Sequence, residues 1–175
     1  MSSAQYEYFQ LFALPEHFAI DTKLLEANFR RIQSASHPDR FVSATAADKL
    51  ASMQLATLSN EAYNTLKNAA RRAKYLLEKQ GIDAVADTNT ALPMDFLMQQ
   101  MEWREQLEDA KTAKDVAALD DLYRTLQGDA KILETELADL FDDKKDYAAA
   151  TEVTRKLIFI DKVCADIQQA IEYLD

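Results

Sequence analysis

The chain has 175 residues and a formal charge of −10, with only two glycines, three prolines and one cysteine. That length is enough for one large domain or two small ones with real cores, and so few turn-formers argue against a strand-rich fold. The acid excess argues against nucleic acid as the main partner, because phosphate binding relies on clustered Lys and Arg.

A lone Cys164 excludes an internal disulfide framework and a multi-cysteine zinc site. No apolar run reaches the roughly 18 residues that span a bilayer. The opening stretch MSSAQYEYFQLF lacks the basic region and small-residue cleavage site of a signal peptide. The expectation is a cytoplasmic protein of a reducing compartment, bacterial in origin.

In chain order, a short first helix is predicted over about Tyr6 to Phe12, followed by a turn at Pro15. A second opens at Asp21, a good N-cap, with Leu25, Phe29, Ile32 and Ser36 on one face. It must stop near Ser36, because Pro38 lacks a backbone donor and biases His37 away from helical dihedrals. A third helix is predicted from about Ala44 to Leu66, with Ala51, Leu55, Leu58 and Ala62 recurring at helical spacing. The stretch AARRAKYLLEKQG reads as a fourth, closed by Gly81. Residues 82–92 have weak periodicity and several turn-favouring side chains, and read as a linker. Beyond it come three longer helices. The first starts at Pro93 and runs to about Ala110, and the second spans about Asp115 to Phe141 with Gly128 inside it. DDKKD marks the next turn. The last helix carries Val153, Leu157, Ile160, Cys164, Ile167, Ile171 and Leu174, a heptad seam. The fold class is therefore all-α, ending in a slim antiparallel three-helix bundle.

Charge divides unevenly along the chain. Residues 1–80 hold ten Lys/Arg against eight Asp/Glu, whereas residues 81–175 hold ten against twenty-two. Such asymmetry suggests two regions with different partners.

Two surfaces are not accounted for by the predicted cores. On the helix after Pro93, Phe96, Trp103, Leu107 and Ala110 form one stripe, while Met94, Leu97, Met98 and Met101 fall well round the other side, near Glu102, Glu105, Glu108 and Asp109. Two readings of this second stripe stay open on the residues alone. It packs on another element as ordinary core, or it is a Met-rich binding patch. Phe159 lies off the heptad seam with Val163 one turn on, and matters only if it shares a face with that patch. On the second helix, Lys23, Ala27, Arg30, Arg31 and Ser34 form a small basic face leading to His37; the plain reading is a solvated surface.

The stretch SASHPDRF at residues 34–41 follows that face directly. His37, Pro38 and Asp39 between an amphipathic helix and a longer helix ending in LSNEAYNTLKNAARRAKYLL resemble the J-domain, whose helical hairpin carries HPD at its tip. With YFQLFALP at the start, FLMQQMEWREQLEDA after the linker and RKLIFIDK near the end, the whole chain resembles the HscB family, J-type co-chaperones of iron–sulfur cluster assembly. The resemblance implies a J-domain over 1–81, a linker over 82–92, and an elongated three-helix scaffold-binding domain over 93–175. It implies docking on an HscA-type seventy-kilodalton heat-shock chaperone through His37, Pro38, Asp39 and Arg40, assisted by Lys23, Arg30 and Arg31. It also implies binding of an IscU-type scaffold through Leu97, Met98, Met101, Glu102, Glu105, Asp109 and Phe159. Two positions depart from the family pattern. Arg40 stands where many J-domains have lysine, and Asp109 stands where a glutamate is expected.

The implied protein is an adaptor that stimulates the chaperone ATPase and delivers the scaffold, with no catalytic residues, cofactor, metal, nucleic acid or membrane of its own. A general client-delivering J-protein is the rival of the same class, disfavoured by the lack of a Gly/Phe-rich linker and zinc-binding cysteine repeats. An enzyme is the rival of another class, disfavoured because His17 reads as a loop residue and Cys164 as core. A purely structural helical module leaves HPD unexplained.

Overall fold

A computed structural model describes residues 7–86 and 92–175. All regular structure among them is helical: α1 (Tyr8–Leu11), α2 (Thr22–Ala35), α3 (Ala46–Lys67), α4 (Ala69–Lys79), α5 (Met94–Ala113), α6 (Val116–Ala138) and α7 (Tyr147–Leu174). A 3-10 turn at Pro38–Phe41 follows α2, and a π turn at Asp139–Asp143 follows α6. The chain divides into two compact units, Met1–Lys79 and Gln80–Asp175. Tyr6 and residues 87–91 of the predicted linker lie outside the described residues.

The first unit is held by aromatic residues. Tyr8 and Phe9 of α1, Leu25 of α2, Leu66 of α3 and Tyr75 and Leu77 of α4 are all buried. Tyr8 and Tyr75 stack at 4.7 Å, and the Tyr8 backbone N–H donates to the Tyr75 hydroxyl at 3.1 Å. Phe29 stacks on Tyr63 at 4.1 Å and 7°, which fastens α2 to α3. Lys79 closes the unit by pairing with Glu7 at 2.6 Å and Glu16 at 2.9 Å. The predicted start of α2 is observed, with the Asp21 carboxylate accepting from the N–H groups of Lys23 and Leu24.

The interior face of α3 differs from the expected apolar row. Ala51 and Leu55 are exposed, and the buried positions are Ser52, Ser59, Ala62 and Leu66. Both serines satisfy their hydroxyls within the helix, Ser52 on the Lys49 carbonyl at 2.8 Å and Ser59 on the Ala56 carbonyl at 3.0 Å. Hydroxyls satisfied this way can be buried, and their small size lets a neighbouring helix approach. The core of α3 thus takes two small serines alongside the apolar Ala62 and Leu66.

In the second unit, two contacts fix the register of α6 and α7: Gln168 donates to the Tyr123 hydroxyl at 3.0 Å and Gln127 donates to Cys164 Sγ at 3.8 Å. Moving forward along α6 means moving back along α7, so the pair is antiparallel. Contacts from Phe96 to Phe159 and from Arg104 to Asp166 advance together, so α5 and α7 run the same way. The result is an up-down-up three-helix bundle. Its core joins Trp103, Leu107 and Ala110 of α5 with Leu119, Leu122 and Leu126 of α6 and Ile160, Cys164 and Ile167 of α7.

Pro93 differs from its predicted place. It is the N-cap of α5, with φ −55° and ψ 145°, and the helix begins at Met94. The helix also runs on to Ala113 and stops where Lys114 turns left-handed at φ 53°. On α7 the seam is buried from Val153 through Ile167, whereas Ile171 and Leu174 near the end are only partly buried. Val163, expected off the seam, is fully buried. The buried arc of α7 is wider than a two-position seam, as a helix touching two neighbours requires.

Candidate functional site

At the end of α2, Ser36 caps the helix twice: its backbone N–H and its hydroxyl both donate to the Ile32 carbonyl, at 2.9 and 2.8 Å. His37 is then extended (φ −62°, ψ 135°), the conformation a following proline favours. Pro38 opens the 3-10 turn, where its missing donor is not needed. The Arg40 N–H closes the turn on the His37 carbonyl at 3.0 Å. Inside it, His37 Nδ1 accepts from the Asp39 N–H at 3.2 Å. The neutral imidazole therefore carries its proton on Nε2. The Asp39 carboxylate approaches Nδ1 at 3.6 Å, an ion pair only when the ring is protonated. That state would exchange the capping bond for the pair, since one nitrogen cannot accept and donate along the same direction. All four residues from His37 to Arg40 are exposed, and the Asp39 side chain is 88% so. The tripeptide is thus an exposed tip on the surface, held by its own turn.

Lys23, Arg30 and Arg31 lie along the exposed side of α2 that leads to this tip. They are not equally free. Arg30 is engaged by Glu26 one turn earlier at 2.6 Å.

On α5 the core stripe is observed: Trp103, Leu107 and Ala110 are buried, and Phe96 is half-buried against them. Opposite it, Met94, Met98 and Met101 are 71%, 65% and 73% exposed, and Leu97 is 38% exposed. Glu102, Glu105 and Asp109 are exposed as well. At about 100° per residue, the arc from Leu97 through Met101, Glu105, Met98 and Asp109 to Glu102 covers about 140° of the helix. Within its own unit the Met stripe is thus surface rather than core.

Phe159 occupies an intermediate place. It is half-buried, stacked on Trp103 at 6.4 Å and edge-on to Phe96 at 6.2 Å. Its ring contacts with Phe96 and Trp103 come from the core stripe of α5, and only its contact with Arg104 comes from the side of the helix on which Leu97 lies. The Arg104 guanidinium lies over its ring at 5.4 Å while bridging Asp166 at 2.8 Å. Sequence reasoning did not single out Arg104 or Asp166. A signal was present, since Arg104 follows Leu97 by seven residues and so shares its face.

Cys164 is buried in the bundle core. Burial pushes its thiol from an ordinary 9.0 up to about 11, with Asp161 adding to the shift and the Gln127 amide opposing it. A thiol held protonated is a core side chain rather than a nucleophile. Among the described residues no cluster of three or more His, Cys, Asp and Glu could hold a metal ion, and no helix is long and apolar enough to cross a membrane.

A family model described as the HSCB C-terminal oligomerisation domain matches residues 92–168. A relative from Ralstonia nicotianae, the co-chaperone protein HscB homolog, is 47% identical over 175 residues, covering 100% of this chain and 99% of its own. The chain belongs to the HscB co-chaperone family. Among solved structures, chaperone HscB from Vibrio cholerae matches with a TM-score of 0.80 at 36% identity, covering 97% of this chain and all of that one. Human co-chaperone HscB matches with a TM-score of 0.83 at 26% identity, covering 96% of this chain and 83% of that one. The J-type arrangement of the N-terminal unit and the C-terminal three-helix bundle are thus features of the HscB fold.

Proposed function

We propose that this chain is an adaptor in iron–sulfur cluster assembly, with two binding surfaces on separate units. The J-domain, residues 1–81, docks on an HscA-type chaperone and stimulates its ATPase. His37, Pro38, Asp39 and Arg40 make the contact, and Lys23, Arg30 and Arg31 speed and orient the encounter with an acidic surface. The bundle, residues 93–175, binds an IscU-type scaffold through Leu97, Met98, Met101 and Phe159, with Glu102, Glu105 and Asp109 setting orientation.

One observation carries this reading: Leu97, Met98 and Met101 stay exposed on α5, beside acids, although a second apolar stripe on the same helix fills the core. Family membership supports the co-chaperone role, and the exposed, internally capped HPD tip supports chaperone contact. Holding two partners on one chain raises their effective concentration for each other. The adaptor itself turns over no substrate and works in the cytoplasm. Replacing Leu97 and Met101 together by Ala tests the scaffold surface. Calorimetric titration with an IscU-type scaffold should show at least about tenfold weaker binding, while circular dichroism stays that of the parent. Parental affinity in the double variant would remove the scaffold from this surface.

A further inference from the structure

We infer that Arg104, held by Asp166, is the positioning residue that sets the Phe159 ring at the edge of the α5 patch. The inference rests on the scaffold reading and names a device that the reading does not include. Phe159 comes from α7, whereas the rest of the patch lies on α5, so its ring must be placed across a helix–helix boundary. Three α5 side chains meet it. Phe96 and Trp103 do so from the core side. Arg104 does so from the half-exposed boundary, with its guanidinium carbon 5.4 Å from the ring centroid.

The guanidinium is itself pinned. Its Nη1 donates to Asp166 Oδ2 at 2.8 Å, two turns further along α7, and both side chains are under 40% exposed. A half-exposed ion pair adds little by itself. Here its effect is geometric, because a planar group held at one end by a carboxylate can lie over a ring only in a narrow range of poses. The carboxylate also cancels the arginine charge, so the apolar patch gains a flat border without a net charge. An ammonium at position 104 would keep the charge but lose the planar cover.

A double-mutant cycle tests this, read by calorimetric titration with the scaffold. Arg104→Gln should weaken binding about three- to tenfold. Phe159→Ala should weaken it at least as much, and the double variant should bind no worse than Phe159→Ala alone. Where the alanine variant loses helicity, Phe159→Leu takes its place in the cycle. A partner-free readout accompanies it: Arg104→Gln should move the Phe159 ring proton resonances and leave the Met98 methyl, on the far side of α5, where it is. Effects that multiply in the double variant would overturn the inference. So would unmoved Phe159 resonances, or parental affinity in Arg104→Gln while Phe159→Ala weakens. Parental affinity in Phe159→Ala would instead overturn the role of Phe159 in scaffold binding, and this inference with it.

Discussion

His37 shows how much one side chain can be asked to do at a surface. Its Nδ1 caps the turn by accepting the Asp39 N–H, which leaves the neutral ring's proton on Nε2. Glutamine reproduces neither the ring nor this division of labour, yet the site is exposed and the rest of the turn is held by backbone bonds. We expect His37→Gln to change stability by no more than about 1 kcal/mol, the scale of a lost cap, in a chemical denaturation experiment. A larger loss would make the residue a structural element. Buried titratable groups give a second expectation, at alkaline pH. Burial raises the Cys164 thiol to about 11, and it raises the Tyr8 and Tyr75 hydroxyls too. For Lys79, burial opposes the charge, but Glu7 and Glu16 outweigh it and the net shift is also upward. Each group keeps its proton in the fold at a pH where the unfolded chain releases it. Stability from these groups is therefore complete below the unfolded values and is lost as pH rises through the folded ones. Thermal melts should be insensitive to these groups up to about pH 9, the ordinary thiol value, and fall steadily above it. A midpoint that rises above that pH would contradict the assignment.

At the level of elements, the sequence marked helices through caps and seams, and it failed where small polar residues are buried. Asp21, Asp115 and Asp146 each accept from the first turn of the helix they open, local chemistry that was read as a cap at Asp21 and, at Asp115, only as the place where a helix starts. The α3 interior was not legible, because Ser52 and Ser59 look like surface residues until their intrahelical hydrogen bonds are seen. The Met stripe was legible as an anomaly of α5, since two apolar stripes on one helix are evident from spacing alone. The cover over Phe159 was not, because it depends on how α5 and α7 pair. Gly128 was read as a cost inside α6, and the structure gives that reading a test. An added Cβ would meet nothing within 4 Å, and the residue sits at an exposed, ordinarily helical position. Gly128→Ala should therefore raise stability by about 0.5–1 kcal/mol, measured by urea denaturation. No gain would mean that the glycine serves a purpose the bundle alone does not reveal.

For the whole molecule, the division of charge and the division into units follow each other closely. The balanced N-terminal half contains the Met1–Lys79 unit with its basic α2 face, and the strongly acidic remainder forms the bundle. An acidic bundle surface with an apolar centre suits a partner that offers cations around an apolar face, and a basic α2 suits an acidic one. The two candidate surfaces thus lie on different units, one in Met1–Lys79 and the other in Gln80–Asp175. The most direct test is the steady-state ATPase rate of a purified HscA-type chaperone, measured alone, with this protein, with an IscU-type scaffold, and with both. The account predicts stimulation by the protein, further increase when scaffold is added, and loss of both with His37→Gln. A rate unchanged by the protein, or stimulated equally by His37→Gln, would contradict it.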